Sequence, residues 1–167
     1  MLATPEDLFR RLHDLGIETT THRHPPLFTV EESRALRGDL PGGHCKSLFL
    51  KDKRGQLWLV VMLEDRQADL KWLAKHLGAG RLSFGRAELL YEVLGVIPGA
   101  VTPFGLINDR ERQVNVVLDA AMMRHDILNY HPLTNEATTT IRAEDLRRFI
   151  ADCGHPVTEV EFPEGEA

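Results

Sequence analysis

Three short stretches of this chain carry groups suited to chemistry, and they are far apart in sequence. The first is Lys46, at the end of "DLPGGHCK". An unperturbed lysine has a pKa of about 10.4, so at neutral pH it is a cation, fit to hold a phosphate or polarise a carbonyl rather than to take a proton. The second is His131, in "NYHPLTNEATTTI". Pro132 holds this histidine in an extended backbone, and Asn135 with Thr138 to Thr140 places donors and acceptors close by. An imidazole among such groups can orient a substrate or carry a proton. The third is "LGVIPGAVTPFGLIND", residues 94–109, which is almost wholly apolar yet holds three glycines and two prolines. Pro98 and Pro103 fix φ and remove N–H groups, whereas Gly99 and Gly105 permit close approach of the backbone. Such a segment is a stiff lining that can present selected N–H groups to a ligand while its walls exclude water. Each stretch also has a plainer reading: a solvated strand-end lysine, a surface histidine, and a buried loop that only packs.

Other chemistries find less support. The chain contains no G-x-S-x-G elbow, no H-E-x-x-H and no P-loop. Eight histidines are present, with His22 and His24 two apart and His44 next to Cys45, but there is no C-x-x-C and no acidic cluster to complete a ligand set. Neither a metal nor an organic cofactor is expected. Lys46 would favour a thiolate on Cys45, although an inward-facing strand cysteine is the commoner case. Two cysteines, Cys45 and Cys153, make no disulfide framework, which fits a reduced, cytoplasmic setting.

The elements that must position these groups follow from periodicity and punctuation. "TPEDLFRRLHDLG" predicts a helix capped by Thr4, with Asp7 three residues on and Gly16 as its stop. "IETTTH" predicts a strand, and "TVEESRALRG" a helix with capping-box spacing between Thr29 and Glu32. "KSLFLKD", the turn "KRG" and "QLWLVVML" form a hairpin whose second strand is apolar on both faces and therefore central. "DLKWLAKHLG" and "RAELLYEVLG" predict helices ended by Gly78 and Gly95, with the short strand "RLSF" between them. After the 94–109 segment come the strand "VNVVLD", a helix over "AAMMRHDI", a final helix "AEDLRRFIADCG" and a last strand around "VTEVEF". This order mixes hairpins with crossovers, which points to one α/β domain over residues 1–167 and argues against a purely parallel, doubly wound sheet.

Composition is that of a globular domain: 43% hydrophobic and 27% charged over 167 residues. No run approaches the roughly 18 apolar residues of a membrane span, and the first residues lack the pattern of an export signal. The formal net charge of −5 opposes a general nucleic-acid coat, because phosphate neutralisation dominates such binding. Much of the negative charge, however, lies in the tail, at Glu159, Glu161, Glu164 and Glu166. From Arg34 to Arg54 the balance is reversed, with Arg37, Lys46, Lys51 and Lys53 also present. Local charge therefore allows a grip on the end of a nucleic acid.

The segments "KSLFLKDKRGQLWLV", "DLKWLAKHLGAGRLSF", "LGVIPGAVTPFGLIND" and "NYHPLTNEATTTI" together resemble the YbaK/ProX family of aminoacyl-tRNA editing domains. They occur in family order, and the resemblance runs from about Thr4 through the final helix. The branch most similar is the one that removes alanine from tRNA for proline; the cysteinyl-tRNA branch is often glycine-rich around "HPLTNEATTTI". The resemblance implies a curved, mixed and largely antiparallel sheet flanked by helices. It puts the family lysine on Lys46, the G-x-x-x-P loop on Gly99 to Pro103 and the histidine on His131. Lys46, Gly99 and His131 are then the catalytic expectations, with Ala100, Val101, Thr102, Pro103, Phe104, Asn135 and Thr138 lining the substrate. Ser47 joins the lining, although many relatives carry asparagine there.

The implied substrate is an aminoacyl ester on the terminal ribose of a mischarged tRNA, attacked by water with help from the neighbouring ribose hydroxyl. A basic rim of Lys46, Lys51, Lys53, Arg54, Lys71 and Lys75 would receive the acceptor end. A transient association with prolyl-tRNA synthetase is also implied, and no membrane. Two alternatives stay open: an editing hydrolase for cysteine or serine, and a nucleic-acid- or nucleotide-binding module without catalysis. The acidity and the lack of an aromatic stacking motif weigh against general nucleic-acid binding.

Overall fold

In a computed structural model of the chain, the described residues are 1–26 and 40–163. The helix expected over 29–38, with Arg34 and Arg37, lies outside them, as do Glu164 and Glu166. Helix α1 spans Pro5–Asp14, and its start is the expected capping box: Thr4 Oγ1 accepts from Asp7 N at 3.1 Å, and the Asp7 carboxylate accepts from Thr4 N at 2.9 Å. Strand β1 is Thr19–Arg23, β2 is Gly43–Asp52 and β3 is Leu57–Leu63. Helix α2, Leu70–Leu77, ends at Gly78 in the left-handed conformation, φ 67°, as its sequence predicts. Strand β4, Leu82–Phe84, leads into α3, Ala87–Leu94. Then follow β5, Val114–Asp119; β6, Ile127–Tyr130; β7, Ala137–Arg142; α4, Ala143–Asp152; and β8, Val157–Val160.

Two differences from the sequence expectations bear on the site. The residues 120–127 are not a helix: only Met122–Arg124 turn, as a 3-10 segment, and the chain then enters β6. "AAMMRHDI" holds good helix formers, but Ile127 and Leu128 are drawn into the sheet beside Arg142 and Ile141, where tertiary pairing overrides local propensity. Lys46 also does not open its strand; β2 begins three residues earlier, at Gly43, because Gly43 and His44 pair with Leu128 and Asn129 of β6.

The sheet runs β1-β7-β6-β2-β3-β5-β8, with β4 added to β2. Four pairings are antiparallel (β1 with β7, β7 with β6, β2 with β3, β2 with β4) and three are parallel (β2 with β6, β3 with β5, β5 with β8). β3 is central, as "LWLVVML" requires. Its Leu59 and Val61 face one apolar core while Val60 and Met62 face the other. The larger core gathers Leu8 and Leu12 of α1, Leu90, Val93 and Leu94 of α3, and Leu146, Phe149 and Ile150 of α4. The second core is closed by Leu73 and Ala74 of α2, with Val160 and Phe162.

The 94–109 segment resolves into two 3-10 turns, Pro98–Ala100 and Pro103–Asn108, each with a proline at its start. Its Ala100, Phe104 and Leu106 belong to the larger core. The far end is tied down at Asp109, whose carboxylate accepts from Gln113 N, Val114 N and the buried His155.

Candidate functional site

Strand β2 is the axis of the site. β3 takes one of its edges along Cys45–Lys51. On the other edge β6 pairs only at Gly43–His44, and β4 only at Leu50–Asp52. Between them, among the described residues, no strand covers Cys45–Leu48. His44 O accepts from Glu64 N on the β3 side, and Phe49 O accepts from Gly85 N on the opposite side. Alternation between these two anchors turns the backbone N–H and C=O of Ser47 toward the uncovered edge. A split in a sheet supplies unpaired backbone groups, which are ready donors and acceptors for a ligand.

Alternation also fixes which side chains share a face. Leu128, Tyr130, Thr139 and Ile141 point to the larger core or its margin. Asn129, Thr138 and Thr140 therefore point the other way, with His44, which pairs with Asn129. Lys46 lies on that same opposite face, across from Met62. His131 is the residue after the end of β6, two on from Asn129, as Lys46 is two on from His44.

The ammonium of Lys46 donates to the carbonyl of Arg66, in the turn that follows β3. That turn is held by Asp119, a wholly buried carboxylate that accepts from Leu63 N at 3.1 Å and Ala121 N at 3.0 Å. The Arg66 guanidinium stands 3.7 Å from the same carboxylate and donates to Phe162 O. Lys46 is thus aimed by a network rooted in the centre of the sheet.

His131 Nδ1 lies 3.1 Å from Ala137 O. A carbonyl only accepts, so Nδ1 carries the proton and Nε2 is the unprotonated nitrogen of the neutral ring. Burial pushes the imidazole's pKa below its usual value; the Ala137 bond and the Glu64 carboxylate push back, while His24 adds to the fall. At neutral pH His131 is therefore a hydrogen-bond acceptor or base.

Gly99 is exposed, and a Cβ built on it would meet only Asn135 Nδ2, at 3.4 Å. The G-x-x-x-P turn and the His131 loop are therefore neighbours, with the buried Asn135 between them. Val101 is half-buried beside the larger core. Ala100, Thr102, Pro103 and Phe104 are buried. Phe104 is wholly enclosed, edge-on to Tyr130 and Phe149, and Thr102 Oγ1 accepts from Phe104 N at 3.3 Å. These two residues stiffen the turn from behind.

Three contributors were not singled out from sequence: Glu64, Arg66 and Asp119. No local pattern marks them, because each acts through a partner 20 or more residues away in the chain. Cys45, which faces the core, is no nucleophile: burial pushes its thiol up to about 12.

The profile of the aminoacyl-tRNA editing domain matches residues 24–149. The chain belongs to this family. A Danio rerio protein named prolyl-tRNA synthetase associated domain-containing protein 1 is 40% identical over 164 residues, covering 95% of this chain and 89% of that one. The prolyl-tRNA editing protein ProX of Acetoanaerobium sticklandii is 34% identical over 153 residues, 91% of this chain and 93% of its own. A crystal structure named "putative trans-editing enzyme for prolyl tRNA synthetase" superposes with a TM-score of 0.72, covering 98% of this chain and all of that one. At 19% identity that likeness establishes the fold alone. The editing-domain family accounts for the mixed, helix-flanked sheet, and the matched span includes Lys46, Gly99 and His131. Among the described residues no helix is long and apolar enough to cross a membrane.

Proposed function

We propose that this protein hydrolyses the ester of alanyl-tRNA(Pro), acting in trans on a tRNA mischarged by the synthetase. The observation that carries the reading is the sheet split. Lys46 stands on the face of His44 and Asn129 beside the uncovered edge of β2, His131 follows directly on the end of β6, and Gly99 abuts the His131 loop through Asn135. Water attacks the ester carbonyl, the neighbouring ribose hydroxyl assisting. Lys46 supplies positive charge where the oxyanion or the adjacent phosphate lies. His131 Nε2, unprotonated, accepts from the attacking water or from the ribose hydroxyl and holds it in line. The backbone at Gly99 and Ser47 seats the aminoacyl group. Lys51, Lys53, Arg54, Lys71 and Lys75, all exposed, receive the acceptor end.

Selectivity follows from size. A synthetase pocket built for proline discriminates weakly against a smaller side chain, at about 1–3 kcal/mol per methylene, so a second site too tight for proline is needed to remove alanine. The two prolines and the enclosed Phe104 give the Gly99 turn the stiffness that such a sieve requires.

The test is deacylation of alanyl-tRNA(Pro) and prolyl-tRNA(Pro) side by side, with cysteinyl- and seryl-tRNA as further substrates. Alanine release with prolyl-tRNA spared supports the reading. Preference for cysteine or serine moves the same chemistry to another substrate, and tRNA binding without release of any amino acid replaces it with a binding module.

A further inference from the structure

Next to His131, at the end of β1, stands a further histidine that the proposed chemistry does not use. His24 continues β1 past Arg23, its backbone N–H donating to Glu136 O at 3.0 Å. Its ring is fixed at both nitrogens: Nδ1 lies 2.8 Å from Pro25 O, and Nε2 lies 2.8 Å from Thr138 Oγ1. It also meets the His131 ring edge-on, at 6.5 Å between centroids.

These contacts determine where the protons are. Pro25 O can only accept, so Nδ1 bears a proton. In the neutral ring Nε2 is then an acceptor, and the hydroxyl of Thr138 must donate to it. Thr138 is 7% exposed and has one proton to give. With that proton committed to His24, the hydroxyl offers a ligand only its lone pairs. Its neighbour Thr139 shows the contrast: it turns to the opposite face and shares a 2.8 Å hydrogen bond with Thr21.

We infer that His24 is a positioning residue that holds the Thr138 hydroxyl as an acceptor for the protonated α-amine of the bound aminoacyl ester. This inference rests on the deacylase reading. An aminoacyl ester carries one cationic donor, on the carbon next to its carbonyl, and an acceptor held by the ring that adjoins His131 registers that amine relative to the attacked carbon. Because the ammonium is present in substrate and transition state alike, the contribution is to binding and appears in KM.

The experiment is a mutant cycle on alanyl-tRNA(Pro), with melting temperatures measured to confirm folding. His24→Ala should lower kcat/KM about tenfold, the scale of a hydrogen bond to a charged group, mainly by raising KM. Thr138→Val should give a similar loss, and the double variant no further loss, because His24 acts only through Thr138. His24→Gln, whose side-chain oxygen can accept from the hydroxyl, should restore most of the activity. On propionyl-tRNA, which lacks the amine, His24→Ala and wild type should react at equal rates. Multiplying losses in the double variant, a wild-type rate for His24→Ala, or an undiminished His24→Ala loss on the propionyl ester each overturns the assignment while leaving the deacylase reading in place. A wild-type protein inactive on every charged tRNA overturns both.

Discussion

Replacing Gly99 by alanine separates a glycine kept for packing from one kept for a ligand. The backbone there is not in the left-handed region, and the new methyl would meet only Asn135 Nδ2 at 3.4 Å, an ordinary contact. The fold should therefore accept it. Removing a flexible glycine from the unfolded chain contributes about 0.4–1 kcal/mol of stability, so the variant should melt at or slightly above the wild-type temperature. Gly105 is the internal control. A Cβ at that position would come within 3.0 Å of Leu94 Cβ and 3.1 Å of the Leu94 carbonyl, in the core behind the same segment. Overpacking of that kind costs about 1–3 kcal/mol. If substrate is seated against the Gly99 backbone, the methyl displaces it by more than an ångström, and a misplacement of that size costs roughly 100-fold in rate. Thermal melting and single-turnover deacylation on both variants make the comparison. Gly99→Ala should be stable and nearly inactive, whereas Gly105→Ala should be unstable first. A Gly99→Ala protein with wild-type kcat/KM would refute the reasoning, since the turn would then be only a packed connection.

Lys46→Ala should reduce deacylation by about 100-fold or more, the scale of losing one oxyanion donor, and leave melting unchanged to within about 0.5 kcal/mol. Single-turnover rates and calorimetry measure the two quantities. Asp119→Asn should lose about 1–3 kcal/mol in denaturant unfolding, because two buried N–H groups and Arg66 lose their charged partner. It should also slow deacylation in part, since the carbonyl that aims Lys46 belongs to Arg66. The pH–rate profile should hold to below the ordinary imidazole value of 6.5 before activity falls, as protonation of Nε2 removes the acceptor. Glu64→Gln should carry that acid limb lower still, because the carboxylate raises the His131 value. The same depression makes the unfolded chain the better proton acceptor, so stability from this group is full above pH 6.5 and shrinks as pH falls below it.

Most helices were legible because their signals are local. Thr4 with Asp7, Gly78 and Gly95 each mark a boundary within a few residues of the element they end. The central hairpin was legible for the same reason, "KRG" between two apolar runs. What escaped is long-range. β6 is only four residues long and β7 is rich in threonine, and they become strands because β2 and β1 pair with them across more than 80 residues of chain. Helical propensity in "AAMMRHDI" points the wrong way, and only the paired sheet corrects it.

The candidate site divides along the same line. Lys46, His131 and Gly99 could be picked out by residue type and by neighbours such as Pro132 and Pro98. The face that Lys46 occupies could not, since it depends on the register of His44 against Asn129, and a slip of one residue would turn Lys46 into the larger core. That register is secured by the apolar side of the same strands: Leu128 and Tyr130 are buried in the larger core, and Asn129 Nδ2 donates to both Pro41 O and Gly43 O. The face with α1, α3 and α4 thus supplies the burial that holds the sheet, and it leaves the opposite face of β2, β6 and β7 free to carry Lys46, His44 and the buried Thr138, with His131 and His24 alongside. A substitution at Leu128 that loosens the first face should therefore disturb Lys46 and His131 together, while changes at Lys46 or His131 leave the sheet intact.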